Sequence, residues 1–170
     1  MAQLQLAMPN YAKTLHSWTK PVPAGCYRSW IKAAKLSCLL GKDISLAQAQ
    51  LTDLKYSRNE GQRVLALLKV QPHLDVLKKG SLSRAQQFFL FKSAGDSFPA
   101  VSLLALAQGA GIDDVLALIE KFLDPADAIA HAQPLITGTT LMKQLGIPPG
   151  PNIGRIMRVV EQAQANGDIV

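Results

Sequence analysis

Hydrophobic residues recur every three to four positions along most of this 170-residue chain. That spacing places them on one face of an α-helix, so it predicts a series of amphipathic helices. Alternation of apolar and polar residues, which half-buried strands show, is missing. The helical segments are about 8 to 20 residues long, and Gly, Pro and polar residues connect them. The pattern therefore predicts an all-α protein with a compact multi-helix body.

The first helices are expected on either side of a turn with the letters V-P-A-G at 22–25. A short segment begins at Pro9 and stops at Pro21, because proline interrupts helical hydrogen bonding. A longer amphipathic helix is expected from Trp30 to Leu40, with Leu39 on its apolar face. Gly41 is expected to end that helix.

Short polar side chains mark the expected starts of the next helices. Ser45, Asn59 and Ser83 are each expected to be an N-cap, because such side chains accept hydrogen bonds from the free N–H groups of a first turn. Pro72 is expected to end the helix that Asn59 begins.

The chain after residue 95 is also predicted to be helical. Pro99 lies in the first turn of a helix rich in Leu and Ala. Asp113 and Asp114 suit the first turn of the next helix, where the helix dipole stabilises negative charge. Pro125 is expected to start a continuation that ends near Ala132.

A soft boundary near residues 132–138 is expected to divide the chain. Residues 1–132 would form the helical body, and residues 133–170 a small helix-turn-helix-like tail. The tail contains the turn G-I-P-P-G-P-N-I-G at 146–154. Gly146 and Gly150 can take left-handed backbone conformations, and Pro151 suits the first position of a helix.

The start of the last helix is the candidate site for an anion. A helix N-terminus has unpaired N–H groups and a positive dipole end, which favour phosphate. Gly154 would permit the close approach of a phosphate, and Arg155 and Arg158 would lie on one helix edge. The alternative is a packing element in which Gly154 touches a neighbouring helix, and the residues alone support both equally. On either account, Gly154→Leu is expected to harm folding or binding more than Arg158→Ala.

The charge is distributed unevenly along the chain. Residues 1–92 hold 14 Lys and Arg against 4 Asp and Glu, whereas residues 93–170 hold 4 against 8. A basic half suggests an anionic partner such as RNA, DNA or a lipid surface, although solvated helix faces are an equal alternative. Two basic faces are expected, and their members are Arg28, Lys32 and Lys35 for one and Arg58, Arg63 and Lys69 for the other.

No catalytic site, metal site or cofactor is expected. The three histidines are isolated in sequence, and no phosphate-binding loop or nucleophile motif occurs. No segment approaches the roughly 20 apolar residues that cross a bilayer, and the first residues do not form a convincing signal peptide. The two cysteines form neither a zinc pattern nor a disulfide framework, which favours a cytoplasmic protein.

The stretch from Pro134 to Ile169, with P-L-I-T-G-T-T-L-M-K-Q-L-G-I-P-P-G-P-N-I-G-R-I-M and A-Q-A-N-G-D-I, resembles a known family. It is similar to the C-terminal tail of bacterial class II tRNA nucleotidyltransferases, the CCA-adding and poly(A) polymerase-like enzymes. The segments L-K-Y-S-R-N-E at 54–60 and S-R-A-Q-Q-F-F-L-F-K-S-A-G-D-S-F-P-A at 83–100 resemble the body of the cyanobacterial members. The resemblance covers about residues 25 to 169.

The resemblance implies tRNA handling without catalysis. The catalytic head, with its β-sheet, G-S-x-x-R motif and metal-binding D-x-D pair, is expected to be missing, as is the neck with its E-D-x-x-R motif. The chain would be either a fragment of a larger enzyme or a stand-alone body and tail. The residues expected to contact tRNA or another structured RNA are Lys143, Gly146, Pro149, Gly150, Pro151, Asn152, Gly154, Arg155, Arg158, Arg58 and Arg63.

Three other functions stay open at this point. The chain could be a structural module that docks on a separate nucleotidyltransferase catalytic chain. It could be a helix–hairpin–helix-like element that binds DNA without sequence preference. It could also be part of an active nucleotidyltransferase.

Overall fold

The computed structural model describes residues 2–16, 30–146 and 148–169. These residues contain α-helices, one 3-10 turn at Gly95–Ser97, and no strand. The predicted all-α fold is therefore confirmed. The V-P-A-G turn, Pro21 and Arg28 lie outside the described residues.

The body contains nine of the helices. They are α1 (Ala2–Ala7), α2 (Pro9–Thr14), α3 (Trp30–Leu39), α4 (Ile44–Asp53), α5 (Arg58–Lys69), α6 (Gln71–Leu77), α7 (Arg84–Ala94), α8 (Phe98–Ala107) and α9 (Ile112–Leu123). Two more helices follow near the C-terminus, and they are α10 (Gly138–Leu145) and α11 (Pro151–Asn166).

Two of the three predicted N-caps are wrong by two residues. Asp43, not Ser45, caps α4 by accepting from the Leu46 amide at 3.0 Å. Ser57, not Asn59, caps α5 in a capping box with Glu60. In both helices the N-cap is the Asp or Ser that lies just outside the first turn, because its side-chain oxygen reaches the N–H group three residues further on. Ser83 caps α7 as predicted.

The prolines at 72 and 125 have different outcomes. The helix α5 ends at Lys69, before Pro72, as predicted. Pro72 lies in the first turn of α6, which follows α5 after Val70 alone, because proline is well suited to a helix start. The helix predicted from Pro125 to about Ala132 is not formed. The Asp124 side chain accepts from the Ala126 amide at 2.9 Å and holds the chain in a turn instead.

Three other expectations about individual residues have clear outcomes. Leu39 is 81% exposed, so it does not belong to the apolar face of α3. Gly41 does not take the left-handed conformation of a glycine helix stop. Asp113 and Asp114 lie in the first turn of α9 as predicted.

The core is centred on α8, whose residues from Phe98 to Ala105 are all buried. The Phe98 ring packs between Phe91 and Phe122, with centroid distances of 4.9 and 4.7 Å. One turn further along α8, the hydroxyl groups of Tyr11 and Ser102 lie 3.0 Å apart and join α2 to α8. Burial raises the pKa of Tyr11, so its phenol stays protonated.

The last helix packs on the body as well as on α10. Lys92 of α7 forms an ion pair with Glu161 of α11 at 2.6 Å. Gln164 donates to the carbonyl of Gln133 at 2.8 Å, and Ala165 is fully buried. The α11 helix is thereby fixed against α7, while the division of the chain at residue 132 stays a prediction.

Candidate nucleic-acid interface

The turn between α10 and α11 is built by two glycines in different conformations. Gly146 follows Leu145 with φ of 64°, which is the left-handed conformation that ends a helix. Gly150 precedes α11 with φ of 171°, which is extended backbone. The expectation is therefore confirmed for Gly146 and wrong for Gly150. Between them, Pro148 and Pro149 are exposed.

The first turn of α11 is open to solvent. Gly150 is the N-cap position, so no side chain caps this helix, and Pro151 occupies the first turn as predicted. Asn152 is exposed beside it. Pro151 has no N–H group, and the Ile153 amide donates to the Gly150 carbonyl at 3.1 Å. The Asn152 amide has no hydrogen-bond acceptor among the described residues, and the helix dipole favours a negative ligand there.

Gly154 does not pack against a neighbouring helix. A Cβ atom at this position would meet no heavy atom within 4 Å, and the residue is exposed. The packing alternative for Gly154 is therefore wrong. The glycine at the helix contact is Gly138, whose added Cβ would lie 3.5 Å from Cγ2 of Ile153. Sequence analysis missed this role because Gly138 stands at a helix start, where many glycines have no packing partner.

Arg155 and Arg158 share the solvent face of α11. Three residues of α-helix correspond to a rotation of about 300°, so the two side chains are about 60° apart around the helix axis. Met157 and Val160 lie on the opposite side and, together with Glu161, line a cavity of about 150 Å³ against the body. Both arginines are exposed, and neither forms an ion pair or hydrogen bond with another described residue. They are free to bind an external anion.

Lys143 adds one more cation on the other arm of the turn. It lies in the last turn of α10 and is exposed. The predicted tail residues therefore include an exposed lysine, an exposed arginine pair and an uncapped helix start within one helix–turn–helix unit.

Arg63 is half-buried, and its side chain makes contacts within the body. Its guanidinium lies 4.5 Å from the centroid of the Trp30 ring and donates to the Asp96 carbonyl at 3.4 Å. Burial lowers the pKa of Arg63, and Asp96 opposes that shift. The side chain thus ties α5 to α3 and to the 3-10 turn. A role for Arg63 in RNA binding stays a prediction.

Arg58 lies in different surroundings from Arg63. It is exposed and lines a cleft between α4 and α5, whereas Arg63 faces Trp30. Five residues of helix separate two side chains by about 140°, which is too far for one narrow face. Arg63 therefore does not share the predicted basic face with Arg58. Lys69, its third predicted member, is exposed and lies within about 20° of Arg58 around the helix axis.

The other predicted basic face is also partly used within the body. Lys32 forms an ion pair with Glu60 at 3.5 Å and lies 5.4 Å from the centroid of the Tyr56 ring. Lys35 is exposed. Only part of this face is therefore available to a partner.

The described residues contain no group of three metal-ligating side chains, and none of their helices is long and apolar enough to span a bilayer. His131 makes a structural contact, since its Nε2 lies 2.9 Å from the Phe122 carbonyl oxygen. His16 is exposed and His73 is half-buried.

The letters G-S-x-x-R do occur, at 80–84, so the expectation that they are missing was wrong. Ser83, which lies within these letters, caps α7, and the sequence contains no D-x-D pair. The sequence also contains no E-D-x-x-R motif.

The fold and the exposed cations define an all-α module with a candidate surface for a polyanion on its last two helices. Comparison with known proteins gives the family. The model described as tRNA nucleotidyltransferase domain 2, putative, matches residues 29–170, and the chain belongs to this family. The predicted resemblance is therefore confirmed.

A curated relative supports the same assignment. The CC-adding tRNA nucleotidyltransferase of Synechocystis sp. is 36% identical over 141 residues, which are 82% of this chain and 34% of the relative. The chain thus spans about a third of the length of the curated relative that it matches. No solved structure matches the chain.

Proposed function

We propose that this chain binds tRNA or a related structured RNA through phosphate contacts and has no catalytic activity of its own. The observation that carries the proposal is the pair Arg155 and Arg158. Both are exposed and without a described ion-pair partner, and they share one face of α11 beside its uncapped first turn. The family supplies the kind of polyanion, since a tRNA nucleotidyltransferase acts on tRNA by its printed name.

The geometry suits phosphate better than base recognition. Guanidinium groups bind phosphate through two parallel hydrogen bonds, and free N–H groups at a helix start add further donors. At Gly154 the absence of a side chain leaves open space above the backbone, where a sugar-phosphate chain can approach. Double-stranded RNA is recognised mainly by shape and by contacts to phosphates and 2′-hydroxyls.

The lack of catalysis is proposed from the sequence and the described residues together. Nucleotidyl transfer needs metal ions held by carboxylates near the reacting phosphates. The sequence has no D-x-D pair, and the described residues have no metal-ligating cluster. Purified chain with ATP, CTP and magnesium is expected to leave the 3′ end of a tRNA unchanged. Template-free extension of that end would refute this part of the proposal.

A second candidate function has one observation in its favour. The tail exposes large apolar side chains, with Leu145 58% and Val159 68% exposed. Exposed apolar surface can mark a site where proteins meet, so the tail could dock on a separate nucleotidyltransferase chain. RNA binding is preferred over docking because Arg155 and Arg158 lie on the same exposed side of α11 as Val159.

The test compares two double variants with the same charge change. Arg155→Gln with Arg158→Gln removes the proposed contacts, and Lys13→Gln with Lys79→Gln removes two exposed cations elsewhere. Binding to fluorescent tRNA is measured over a series of salt concentrations. Each lost phosphate contact lowers the slope of log affinity against log salt by about 0.7 to 0.9. We expect a decrease of about 1.5 for the arginine variant and a much smaller one for the lysine variant.

Equal slopes for the two double variants would overturn the assignment of the site to α11. Loss of binding to a nucleotidyltransferase chain, with RNA affinity unchanged, would instead support the docking function.

A further inference from the structure

The cleft between α4 and α5 is a second concentration of positive charge. It has a volume of about 690 Å³, and the cations that line it are Lys55 and Arg58. Polar groups of Gln48, Tyr56 and Gln62 complete much of its wall, and none of its lining residues is acidic. The cleft is therefore a basic and polar surface on the body.

Lys55 has an unusual backbone conformation for its residue type. It is the one residue other than glycine with positive φ among the described residues, at 59°. It follows α4 at a tight helix end, where the Tyr56 amide donates to the Leu51 carbonyl at 3.0 Å. Glycine is the usual residue there, because a Cβ atom is strained in the left-handed conformation. The chain itself places Gly146 and Gly167 at the ends of α10 and α11.

A lysine at a strained position suggests that its side chain has a use. Residues in unfavourable backbone conformations are concentrated at functional sites, where the side chain is needed. Lys55 is exposed and has no ion pair or hydrogen bond through its side chain to another described residue. Its ammonium group is thus available to a ligand.

The neighbouring carboxylates do not neutralise this charge. Glu60 turns towards Ser57, with its carboxylate 3.2 Å from the backbone N and 2.7 Å from Oγ, and it also pairs with Lys32. Asp53 is exposed and does not line the cleft. Lys55 and Arg58 therefore present an uncompensated pair of positive charges, three residues apart along the chain.

We propose that the cleft between α4 and α5 binds the phosphodiester backbone of an RNA strand through Lys55 and Arg58. Small ligands generally occupy sites that enclose most of their surface, whereas this cleft is bordered by exposed side chains. A basic open groove suits a polymer whose backbone passes across it. The choice of RNA rests on the proposed function, but the surface is separate from the turn before α11.

The test uses four single variants of the full chain. Lys55→Gln and Arg58→Gln each remove one proposed contact, Lys55→Gly removes both the charge and the strain, and Lys79→Gln is the charge control. Affinity is measured for fluorescent tRNA and for a ten-nucleotide single-stranded RNA, together with Tm. We expect both Gln variants in the cleft to lose roughly three- to tenfold in affinity and about one phosphate from the salt slope.

The Lys55→Gly variant distinguishes an effect on RNA affinity from an effect on stability. Lys55→Gly is expected to lose as much affinity as Lys55→Gln, while its Tm is unchanged or rises by about 2–4 °C. Wild-type affinity for both RNAs in the Lys55 and Arg58 variants would overturn the cleft proposal. Loss of tRNA affinity in the α11 arginine variant alone would leave the proposed function intact. If the single-stranded RNA binds through Lys55 and tRNA does not bind, the cleft proposal is supported and the proposed tRNA-binding function is refuted. If neither RNA binds to the chain, both the cleft proposal and the proposed function are refuted.

Discussion

Substitution of Gly154 by alanine separates stability from RNA binding at the proposed site. The residue is the fourth of α11, and an added Cβ meets no atom within 4 Å. Its φ is not positive, so alanine fits the backbone without strain. Glycine costs about 0.8 to 1 kcal/mol relative to alanine in a helix interior. We expect Gly154→Ala to raise the free energy of unfolding by about 0.5 to 1 kcal/mol, because the position is near the helix end.

Ala117→Gly is a matched control for this substitution. Ala117 is exposed within α9, so the reverse change there should lower the free energy of unfolding by about 1 kcal/mol. Urea unfolding gives both values, and fluorescence anisotropy with tRNA gives the affinity of each variant. If RNA approaches the backbone at Gly154, the alanine methyl group lies in its path. Gly154→Ala should then bind tRNA less tightly although it is more stable, and Ala117→Gly should bind normally.

Two results would refute this reasoning. A clear loss of stability in Gly154→Ala would mean that the position has a packing role after all. A gain in stability with unchanged tRNA affinity would mean that no ligand approaches the backbone there, and the proposed contact would be restricted to the arginines.

Three further predictions concern the body. Phe98→Ala should cost about 3 to 5 kcal/mol in urea unfolding, because Phe98 is 1% exposed at the centre of the core; a loss below about 1 kcal/mol would contradict that position. Ser57→Ala should cost about 1 kcal/mol and Asn59→Ala almost nothing, since Ser57 is the true cap of α5; equal losses would contradict the capping box. Burial lowers the pKa of His73, so the unfolded chain binds the proton more tightly and Tm should fall as pH drops through about 6.5. His73→Gln should reduce that dependence, and an unchanged Tm profile would refute the assignment.

The helical fold could be predicted because the apolar spacing is strong and local. The predicted starts at Pro9 and Ser83 and the acidic first turn of α9 agree with the structure. The caps at Ser45 and Asn59 could not be resolved, because Asp43 and Ser57 lie two residues earlier and have the same capping ability. Choosing between such neighbours requires the backbone geometry of the first turn.

Proline was the most ambiguous signal in the chain. It both ends helices and starts them. The helix α5 ends before Pro72, as predicted, but Pro72 also lies in the first turn of α6, which was not predicted. At Pro125 the predicted continuation of the helix is not formed. Asp127 accepts from the amides of Ile129 and Ala130 at 2.8 and 2.7 Å, and these bonds hold a turn.

The candidate site depended on information that sequence spacing does not contain. Spacing correctly placed Arg155 and Arg158 on one face of α11, because helical periodicity fixes that angle. It could not show that Arg63 lies over Trp30, since that contact joins residues of different helices. It also could not choose between a packing and an open role for Gly154, and the structure shows open space there. Gly154→Leu is therefore no longer expected to harm folding through a clash with a neighbouring helix. Its expected effect on RNA binding stays a prediction.

The central claim is tested most directly by binding of the purified chain to fluorescent full-length tRNA, with duplex DNA as competitor, over a series of salt concentrations. The account predicts binding that weakens with salt, a log–log slope equivalent to several phosphates, and poor competition by DNA. Absence of binding at low salt, or equal competition by duplex DNA, would contradict a surface for structured RNA on this chain.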